Sequence, residues 1–169
     1  MPRLVMLVGL PGSGKSTYRK NLLNDNPNTV VICPDDFLEE KAAQMGISYQ
    51  EIWLPEHHEH IAQSRIDAEE HLMNAVKNGQ DIIWDQTNIS FDMRSRRLDK
   101  VSDDYERIGV AFETNENTLF ARNQDRVSRG RHLPEPVLMG MIQDYERPHF
   151  DEGFDHIVLI ENNGHPKVL

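Results

Sequence analysis

Short apolar runs alternate with longer stretches of mixed polar and apolar residues along most of the chain. Five apolar runs are predicted to be strands, at residues 4–8, 29–33, 81–84, 107–112 and 156–160. Six intervening stretches are predicted to be helices, at residues 15–23, 37–45, 55–78, 90–102, 117–128 and 135–145. Strands that alternate with helices are typical of a parallel sheet. The pattern therefore predicts an α/β fold with a five-stranded parallel sheet flanked by helices.

The segments outside these elements complete the predicted layout. Pro134 and Pro136 suit the start of the last helix. Residues 46–55 are predicted to be a loop or a broken helix, and residues 161–169 a tail after the last strand. The chain has 169 residues and no internal repeat, so we expect a single domain over residues 1–169.

Composition and charge narrow the classes of function. The net charge is −10, from 18 Lys and Arg against 28 Asp and Glu, which argues against broad electrostatic adhesion to nucleic acid. The charge is unevenly distributed, because residues 32–72 hold ten acids and two bases, whereas residues 94–131 hold nine bases and seven acids. A short polyanionic end could therefore be held locally, but a long duplex laid across the surface is not expected.

Other features favour an intracellular, cytoplasmic protein. No apolar run approaches the roughly 18 to 20 residues of a membrane span, so no membrane partner is expected. The first predicted strand begins almost at the N-terminus, which leaves no room for a signal peptide. Cys33 is the only cysteine, which suits a reducing cytosol and is expected to be a small buried side chain rather than a nucleophile.

Residues 9–17 carry the most informative motif, Gly-Leu-Pro-Gly-Ser-Gly-Lys-Ser-Thr, which fits the P-loop pattern G-x-x-x-x-G-K-[ST]. The motif follows a predicted strand and opens a predicted helix, as a P-loop requires; the alternative is a glycine-rich turn that happens to end in Lys-Ser. Loop amides would hold phosphates, Lys15 would reach the β- and γ-phosphates, and Ser16 would bind Mg²⁺. We therefore expect a nucleoside triphosphate, with ATP and Mg²⁺ as cofactors, bound by Gly12, Ser13, Gly14, Lys15, Ser16 and Thr17.

Two acidic clusters follow predicted strands at the ends where ligands gather in an open parallel sheet. Asp35 is the candidate general base, because phosphoryl transfer to a hydroxyl needs a group that accepts or orients the proton. The alternative is that Asp35 or Asp36 caps a helix beginning at Phe37. Asp85 ends an apolar strand and is predicted, with Ser16, to form the metal site, often through water; the alternative is a capping or turn aspartate.

Thr87 and Asn88, which follow Asp85, could bind substrate or cap the next helix. Tyr49 and Trp53 could stack on an acceptor base, although packing in the core is the default expectation.

Arginines form a third cluster, at residues 122, 126, 129 and 131. Arg122, Arg126 and Arg129 are spaced to share one helix face, and Gly130 then breaks the helix. Guanidinium groups suit the charge on a transferred phosphoryl group, so we predict an arginine-rich lid over the triphosphate, with Arg122 and Arg126 binding the nucleotide. The alternative is a solvated basic helix, and the roles of Arg129 and Arg131 are left open.

The histidines at positions 57, 58 and 60 invite a metal interpretation. Their spacing lacks the i, i+4 pair of helical zinc sites, and no second ligand pair supports it. A solvated helix face is therefore the favoured interpretation of His57, His58 and His60.

The strand, P-loop and helix followed by four more strands fit the P-loop kinase fold, and the chain resembles one family in particular. From the first strand to about Tyr145 it is similar to the kinase domain of bacteriophage 5′-hydroxyl polynucleotide kinases. The resemblance rests on the P-loop, on Asp35-Asp36-Phe37, on Asp85-x-Thr87-Asn88 and on Arg122-Asn123-x-x-Arg126. It implies that Lys15 and Ser16 bind phosphates and metal, that Asp35 is the general base on the 5′-hydroxyl, and that Arg126 contacts the transferring phosphate.

The resemblance implies an ATP-dependent kinase for the 5′ end of RNA or DNA, of the kind that a phage encodes. It has two departures. In the phage enzymes an arginine three residues after the base helps to bind the 3′-phosphate of the acceptor, whereas this chain has Leu38. Recognition must then differ or be supplied elsewhere, for example by Arg94 or Arg97. The chain also lacks room for the phosphatase domain of some members, so we expect a kinase only.

Two other functions stay open at this stage. The net charge and Leu38 favour a kinase for a small metabolite, nucleoside or sugar. A nucleotide-binding switch or regulatory ATPase would need a water-positioning group or the arginine of a partner, and the four local arginines argue against that dependence. The sequence leaves the acceptor, the nucleotide preference and the oligomeric state open.

Overall fold

Six strands form one mixed sheet in the computed structural model, which describes residues 1–161 and 166–169 apart from the side chains of Arg129 and Pro166. The strands are β1 (Arg3–Val8), β2 (Val30–Ile32), β3 (Ile82–Asp85), β4 (Glu106–Glu113), β5 (His156–Glu161) and β6 (Pro166–Val168). Their order across the sheet is β2-β3-β1-β4-β5-β6. The first five are parallel to their neighbours, as predicted, and each lies within about one residue of its predicted bounds.

The sixth strand corrects the prediction of five strands and of a tail over residues 161–169. Strand β6 runs antiparallel to β5, with Val158 opposite Val168. Glu161 is the last residue of β5, and residues 162–165 lie outside the described part of the chain. A strand of three residues is too short to show the alternation on which sequence prediction depends, which explains why it was missed.

Helices lie between the strands, at α1 (Lys15–Asp25), α2 (Pro34–Met45), α3 (His58–Lys77), α4 (Phe91–Leu98), α5 (Glu116–Asp125) and α6 (Glu135–Gln143). All six were predicted, but several bounds differ. Helix α2 begins earlier than expected, at a proline in its first turn, and α4, α5 and α6 end earlier than expected. Residues 46–57 contain two short 3₁₀ turns, which agrees with the predicted loop or broken helix.

Strand β1 lies in the middle of the sheet, and its side chains alternate between two apolar layers. Leu4 and Met6 belong to the layer that contains Leu72 of α3, whereas Leu7 belongs to the layer against which Tyr18 of α1 packs. Because β3 and β4 flank β1, the loop that leaves β1 emerges between the carboxyl ends of two other strands. This position brings three strand-end loops together at one edge of the sheet.

The expectation that Cys33 is a small buried side chain is confirmed. Its thiol is free and the residue is 7% exposed. Burial raises the pKa of Cys33 to about 12, with Asp36 and Asp85 adding to the effect, so the reactive thiolate is disfavoured. In the described part of the chain, no helix is both long enough and apolar enough to cross a membrane.

Candidate active site

The loop between β1 and α1 is shaped by two glycine positions. Gly14 has φ 111°, a left-handed conformation that L side chains rarely adopt, and it directly precedes α1. A Cβ atom on Gly9 would lie 2.7 Å from the Ser13 hydroxyl oxygen and 3.0 Å from the Phe112 Cβ atom. The Gly9 amide donates to the Thr87 carbonyl at 2.8 Å, which ties the loop to the segment after β3. The loop can therefore wind closely around a concave centre.

Lys15 lies folded over this loop. Its ammonium donates to the carbonyl oxygens of Gly9 and Leu10, at 2.7 and 2.9 Å. Burial lowers the pKa of Lys15 to about 8, although the Asp85 and Asp35 carboxylates oppose that change. The ammonium thus shares one electrostatic environment with both predicted acids.

Two polar atoms near the loop lack the partners that buried groups normally have. The hydroxyl of Ser13 and one terminal nitrogen of Arg126 are buried, and neither has a hydrogen-bond partner among the described residues. The first amides of α1 also have no partner within the helix, because a helix leaves its initial N–H groups free. These donors fit the oxygens of a bound phosphate chain. Ser16 and Thr17 lie in the first turn of α1 and are exposed.

Asp85 is the last residue of β3 and is 7% exposed. Arg19 holds it from α1: one guanidinium nitrogen lies 3.1 Å from the Asp85 carboxylate and 2.9 Å from that of Asp36. Burial raises the pKa of Asp85, whereas Lys15 and Arg19 lower it. Sequence reasoning missed Arg19, although its position four residues after Lys15 placed it on the same helix face.

The residues present fit a magnesium ion only if phosphate oxygens complete its shell. No group of three or more His, Cys, Asp or Glu side chains suited to a metal occurs in residues 1–161 and 166–169. Ser16 and Asp85 would instead hold the ion at the loop, and Mg²⁺ commonly binds through one or two protein groups plus phosphates and water. The three histidines lie elsewhere, around the start of α3, where the His57 and His60 rings stack with centroids 6.0 Å apart.

Asp35 lies in the first turn of α2, and the alternative that it or Asp36 caps a helix beginning at Phe37 is wrong. The helix begins at Pro34, its N-cap residue is Cys33, and no side chain caps it. Proline at the first helical position, which was visible in the sequence, accounts for the earlier start.

The Asp35 carboxylate belongs to the same electrostatic cluster as the loop. Loss of solvation raises its pKa, and the neighbouring Asp36 adds to the rise. Arg131, Lys15 and Arg126 oppose the rise, so three cations act on this one carboxylate. The structure thus brings together the predicted base, the loop lysine and the arginines.

The arginine segment, residues 126–131, is not the helix that was expected. Helix α5 ends at Asp125 and a 3₁₀ turn follows, so Arg122, Arg126 and Arg129 do not share one helix face. The side chain of Arg129 lies outside the described atoms. Arg122 is exposed and donates to the Gly12 carbonyl at 2.9 Å.

Asn123, which precedes the arginine segment, bonds to Leu133, which follows it. Its side-chain amide donates to the Leu133 carbonyl at 2.8 Å and accepts from the Leu133 amide at 2.9 Å. Asn123 is 6% exposed, and its two bonds join the two ends of the arginine segment. Sequence reasoning quoted this residue within a motif but assigned it no role.

The segment after β3 contains a residue, Asn88, whose structural role the sequence did not reveal. Asn88 is fully buried with φ 48°, and its side-chain amide donates to the Leu7 carbonyl at 2.7 Å. It therefore neither binds substrate nor caps α4, which Ser90 caps by accepting from the Met93 amide at 3.3 Å. Asn88 joins the segment to the central strand.

The side chains of Arg94 and Arg97 are also engaged in contacts within the protein. Arg94 is fully buried in an ion pair with Glu152, with a nitrogen–oxygen distance of 2.6 Å. Arg97 bonds to the Asn88 side chain and lies 5.8 Å from the Trp84 ring centroid, and burial lowers its pKa to about 10. The expectation that either arginine supplies an acceptor contact is therefore wrong. Arg96, by contrast, is exposed and pairs with Asp92 on the surface of α4.

Helix α2 and the turns after it carry the other residues that the sequence singled out, Leu38, Tyr49 and Trp53. Leu38 is 1% exposed and packs in a core cluster with Ile52, so this position of α2 offers no charge to the cleft. Tyr49 and Trp53 form an edge-to-face pair with ring centroids 6.1 Å apart, and Trp53 is 43% exposed rather than in the core. Burial and the nearby Asp35 carboxylate raise the pKa of Tyr49 to about 12.

Comparison with known proteins agrees with this architecture. A sequence model of the AAA_33 family, described as an AAA domain, matches residues 4–148. A protein from Chloroflexus aurantiacus J-10-fl, provisionally named as a kinase, is 18% identical with a TM-score of 0.71; the match covers 95% of this chain and 85% of that one.

Two further solved structures carry different names. A chain of the Pnkp1/Rnl/Hen1 RNA repair complex is 23% identical with a TM-score of 0.67, over 99% of this chain but only 48% of that one. A gluconokinase from Sinorhizobium meliloti 1021 is 14% identical with a TM-score of 0.57, over 95% and 82%. At these identities the likeness establishes the fold, which is that of P-loop kinases.

Proposed function

Because the chain belongs to the AAA_33 family of AAA domains and has the fold of P-loop kinases, we propose that it is an ATP-dependent kinase for the 5′-hydroxyl end of RNA or DNA. The observation that carries this proposal is the Asp35 carboxylate, which lies within electrostatic reach of Lys15 and Arg126. A carboxylate opposite a phosphate-binding loop is suited to activate a hydroxyl rather than to bind a nucleotide. Asp35 is therefore assigned as the general base.

In the proposed reaction the acceptor oxygen attacks the γ-phosphorus of ATP. The bond between that phosphorus and the β–γ bridging oxygen breaks, ADP leaves, and the hydroxyl proton passes to Asp35. Lys15 leaves the carbonyls of Gly9 and Leu10 to bind the β- and γ-phosphates, and Arg126 stabilises the transferred group with its unpartnered nitrogen. Mg²⁺, when bound at Ser16 and Asp85, neutralises charge on the phosphates.

The arginines favour transfer over a switch function. A regulatory ATPase commonly receives its catalytic arginine from a partner, whereas in this chain Arg126 already interacts electrostatically with Asp35. The arginine segment, positioned by Asn123, is proposed to serve as the lid that excludes water from the triphosphate. Exclusion of water limits hydrolysis and favours an organic acceptor.

A kinase for a small alcohol is the second candidate, and specific observations favour it. Leu38 is buried, and Arg94 and Arg97 are engaged in the structure, so none of the three supplies a contact for a polyanion. The similar structures include proteins of both kinds, since one belongs to an RNA repair complex and another is a gluconokinase.

A transfer screen decides between these acceptors. Labelled ATP is offered with 5′-hydroxyl oligonucleotides, with nucleosides and with sugars, at several salt concentrations. Transfer to the oligonucleotide that weakens steeply with salt supports a polynucleotide acceptor. Transfer confined to sugars or nucleosides replaces the proposal with the second candidate, and phosphate release without any acceptor indicates an ATPase.

Asp35→Asn tests the assignment of the base. We expect it to lower turnover by about 10²- to 10⁴-fold, the usual contribution of general acid–base catalysis, with ATP affinity retained. Glu40→Gln is the matched control, because it removes an exposed carboxylate from the same helix and should leave turnover unchanged. Turnover in steady-state assays that is unchanged in Asp35→Asn would remove this residue from the mechanism.

A further inference from the structure

Arg131 is the last residue of the arginine segment and contacts α2 and the turn after it. Its guanidinium forms an ion pair with Glu39 of α2, and its central carbon lies 4.7 Å from the centre of the Tyr49 ring. The next residue is held too, because His132 and the Gln50 side-chain amide are 3.2 Å apart. The C-terminal end of the arginine segment therefore contacts α2 and the turns after it.

The other described cations of the cleft face the nucleotide side. Lys15 and Arg122 bond to carbonyls of the loop, and Arg19 bonds to Asp85. Arg126 carries the unpartnered nitrogen assigned above to the transferred group. Arg19 also bonds to Asp36 in the first turn of α2, whereas Arg131 contacts Glu39 further along α2 and Tyr49 after it.

The contact between Arg131 and Glu39 is suited to exchange. The Glu39 side chain is 56% exposed and that of Arg131 is 35% exposed. Exposed ion pairs contribute little stability, so an incoming anion can take the place of the carboxylate. Guanidinium groups bind phosphate and carboxylate groups in the same two-pronged geometry. Stacking on Tyr49 would keep the guanidinium plane in position during such an exchange.

We infer that Arg131 binds an anionic group of the acceptor, next to the hydroxyl that is phosphorylated. The inference rests on the proposed function and deepens it, since it assigns the residue that distinguishes charged from uncharged acceptors. In a polynucleotide this anion is the first phosphate, which follows the 3′ oxygen of the terminal nucleoside. The positive charge is thus supplied by the arginine segment, because position 38 of α2 holds a buried leucine.

Minimal acceptors test this assignment. A nucleoside 3′-phosphate carries the anion and the matching nucleoside does not, and both carry the 5′-hydroxyl. We expect Arg131→Ala to raise KM for the nucleoside 3′-phosphate roughly ten- to a hundredfold, the range for a hydrogen bond to a charged group. KM for the nucleoside and the Kd for ATP should not change. Arg131→Lys should recover part of the effect, because lysine keeps the charge without the planar fork.

Two further variants separate binding from a merely structural role. Glu39→Gln frees Arg131 and should lower KM for the nucleoside 3′-phosphate. Arg96→Ala removes an exposed arginine from α4, outside the cleft, and should change neither acceptor. An equal change in KM for both acceptors in Arg131→Ala would show that Arg131 does not recognise the anion, and would overturn the inference.

A second measurement keeps the inference testable if the wild-type protein phosphorylates neither acceptor, an outcome that would refute the proposed function alone. Inorganic phosphate is titrated calorimetrically into protein saturated with a non-hydrolysable ATP analogue. We expect weak phosphate binding in the wild type and in Arg96→Ala, and its loss in Arg131→Ala. Absence of binding in the wild type, or equal binding in Arg131→Ala, would refute the assignment.

Discussion

At the scale of single residues, the Lys15 ammonium can exchange loop carbonyls for phosphate oxygens. In the free protein, burial disfavours the protonated form of Lys15 and lowers its pKa to about 8. Anionic phosphates would favour the charged form and therefore raise this pKa. The protonation of one side chain is thus coupled to nucleotide binding.

This coupling predicts the pH dependence of nucleotide affinity. Below about pH 8 Lys15 is charged in both states, and binding takes up no proton there. Above that pH the free lysine is neutral, so binding must take up a proton and the Kd for ATP should rise by at most about tenfold per pH unit. Calorimetry in two buffers of different ionisation enthalpy measures the uptake. An affinity that stays constant from pH 7 to 9.5 would contradict the prediction.

The sequence predicted that the loop lysine and the two acids would lie close together, for a physical reason. Lys15, Asp35 and Asp85 each follow or end an apolar run, and the ends of parallel strands meet at one edge. Arg19 and Asn123 were missed because their importance depends on partners distant in sequence, at Asp85 and Leu133. Their roles appear only when the elements are packed.

At the scale of elements, helix α1 presents two cations to the site from successive turns. Lys15 lies at its start, and Arg19 follows one turn later and bonds to Asp85 and Asp36. The same helix therefore supplies the predicted phosphate-binding residue and the side chain that bonds to the predicted metal-site acid.

Arg19→Met should weaken the use of magnesium more than the binding of nucleotide. Loss of the guanidinium frees Asp85 to turn toward Lys15, and outer partners of metal ligands commonly matter by 10- to 100-fold. We expect the Mg²⁺ concentration for half-maximal activity to rise roughly tenfold. Lys20→Met, which alters an exposed neighbour on α1, is the matched control. An unchanged magnesium titration would exclude this role for Arg19.

The elements themselves were predictable to different degrees. Apolar runs identified the five parallel strands, because a buried parallel strand is apolar on both faces. The end of α5 was not predictable from periodicity, since Arg126 and Arg129 continue the helical spacing while the backbone changes to a 3₁₀ turn. Asn123 of α5 bonds to Leu133 beyond the arginine segment, and these bonds between distant residues are not visible in the helical spacing.

At the scale of the whole molecule, a buried ion pair joins distant parts of the chain. Arg94 of α4 pairs with Glu152, which follows α6, and also donates to the Asn88 and Glu146 carbonyls at 3.0 and 2.9 Å. Both charged side chains are at most 1% exposed. The segment after β3, and with it the edge that carries Asp85, is thereby attached to the C-terminal third of the chain.

Arg94→Met should destabilise the fold strongly, because Glu152 would be left buried without its partner. The expected loss is about 3 to 5 kcal/mol in the free energy of unfolding. The double variant Arg94→Met, Glu152→Met should recover much of that loss, since no charge is then stranded. Denaturant titrations measure both, and a single variant as stable as the wild type would contradict this account.

The short antiparallel strand β6 has a consequence for association between molecules. It covers the outer side of β5 with only three residues, and Pro166 has no backbone N–H to offer a neighbouring strand. The opposite border of the sheet, β2, is also three residues long. Neither border gives an incoming strand enough unpaired backbone to extend the sheet, so the fold is protected against edge-to-edge aggregation.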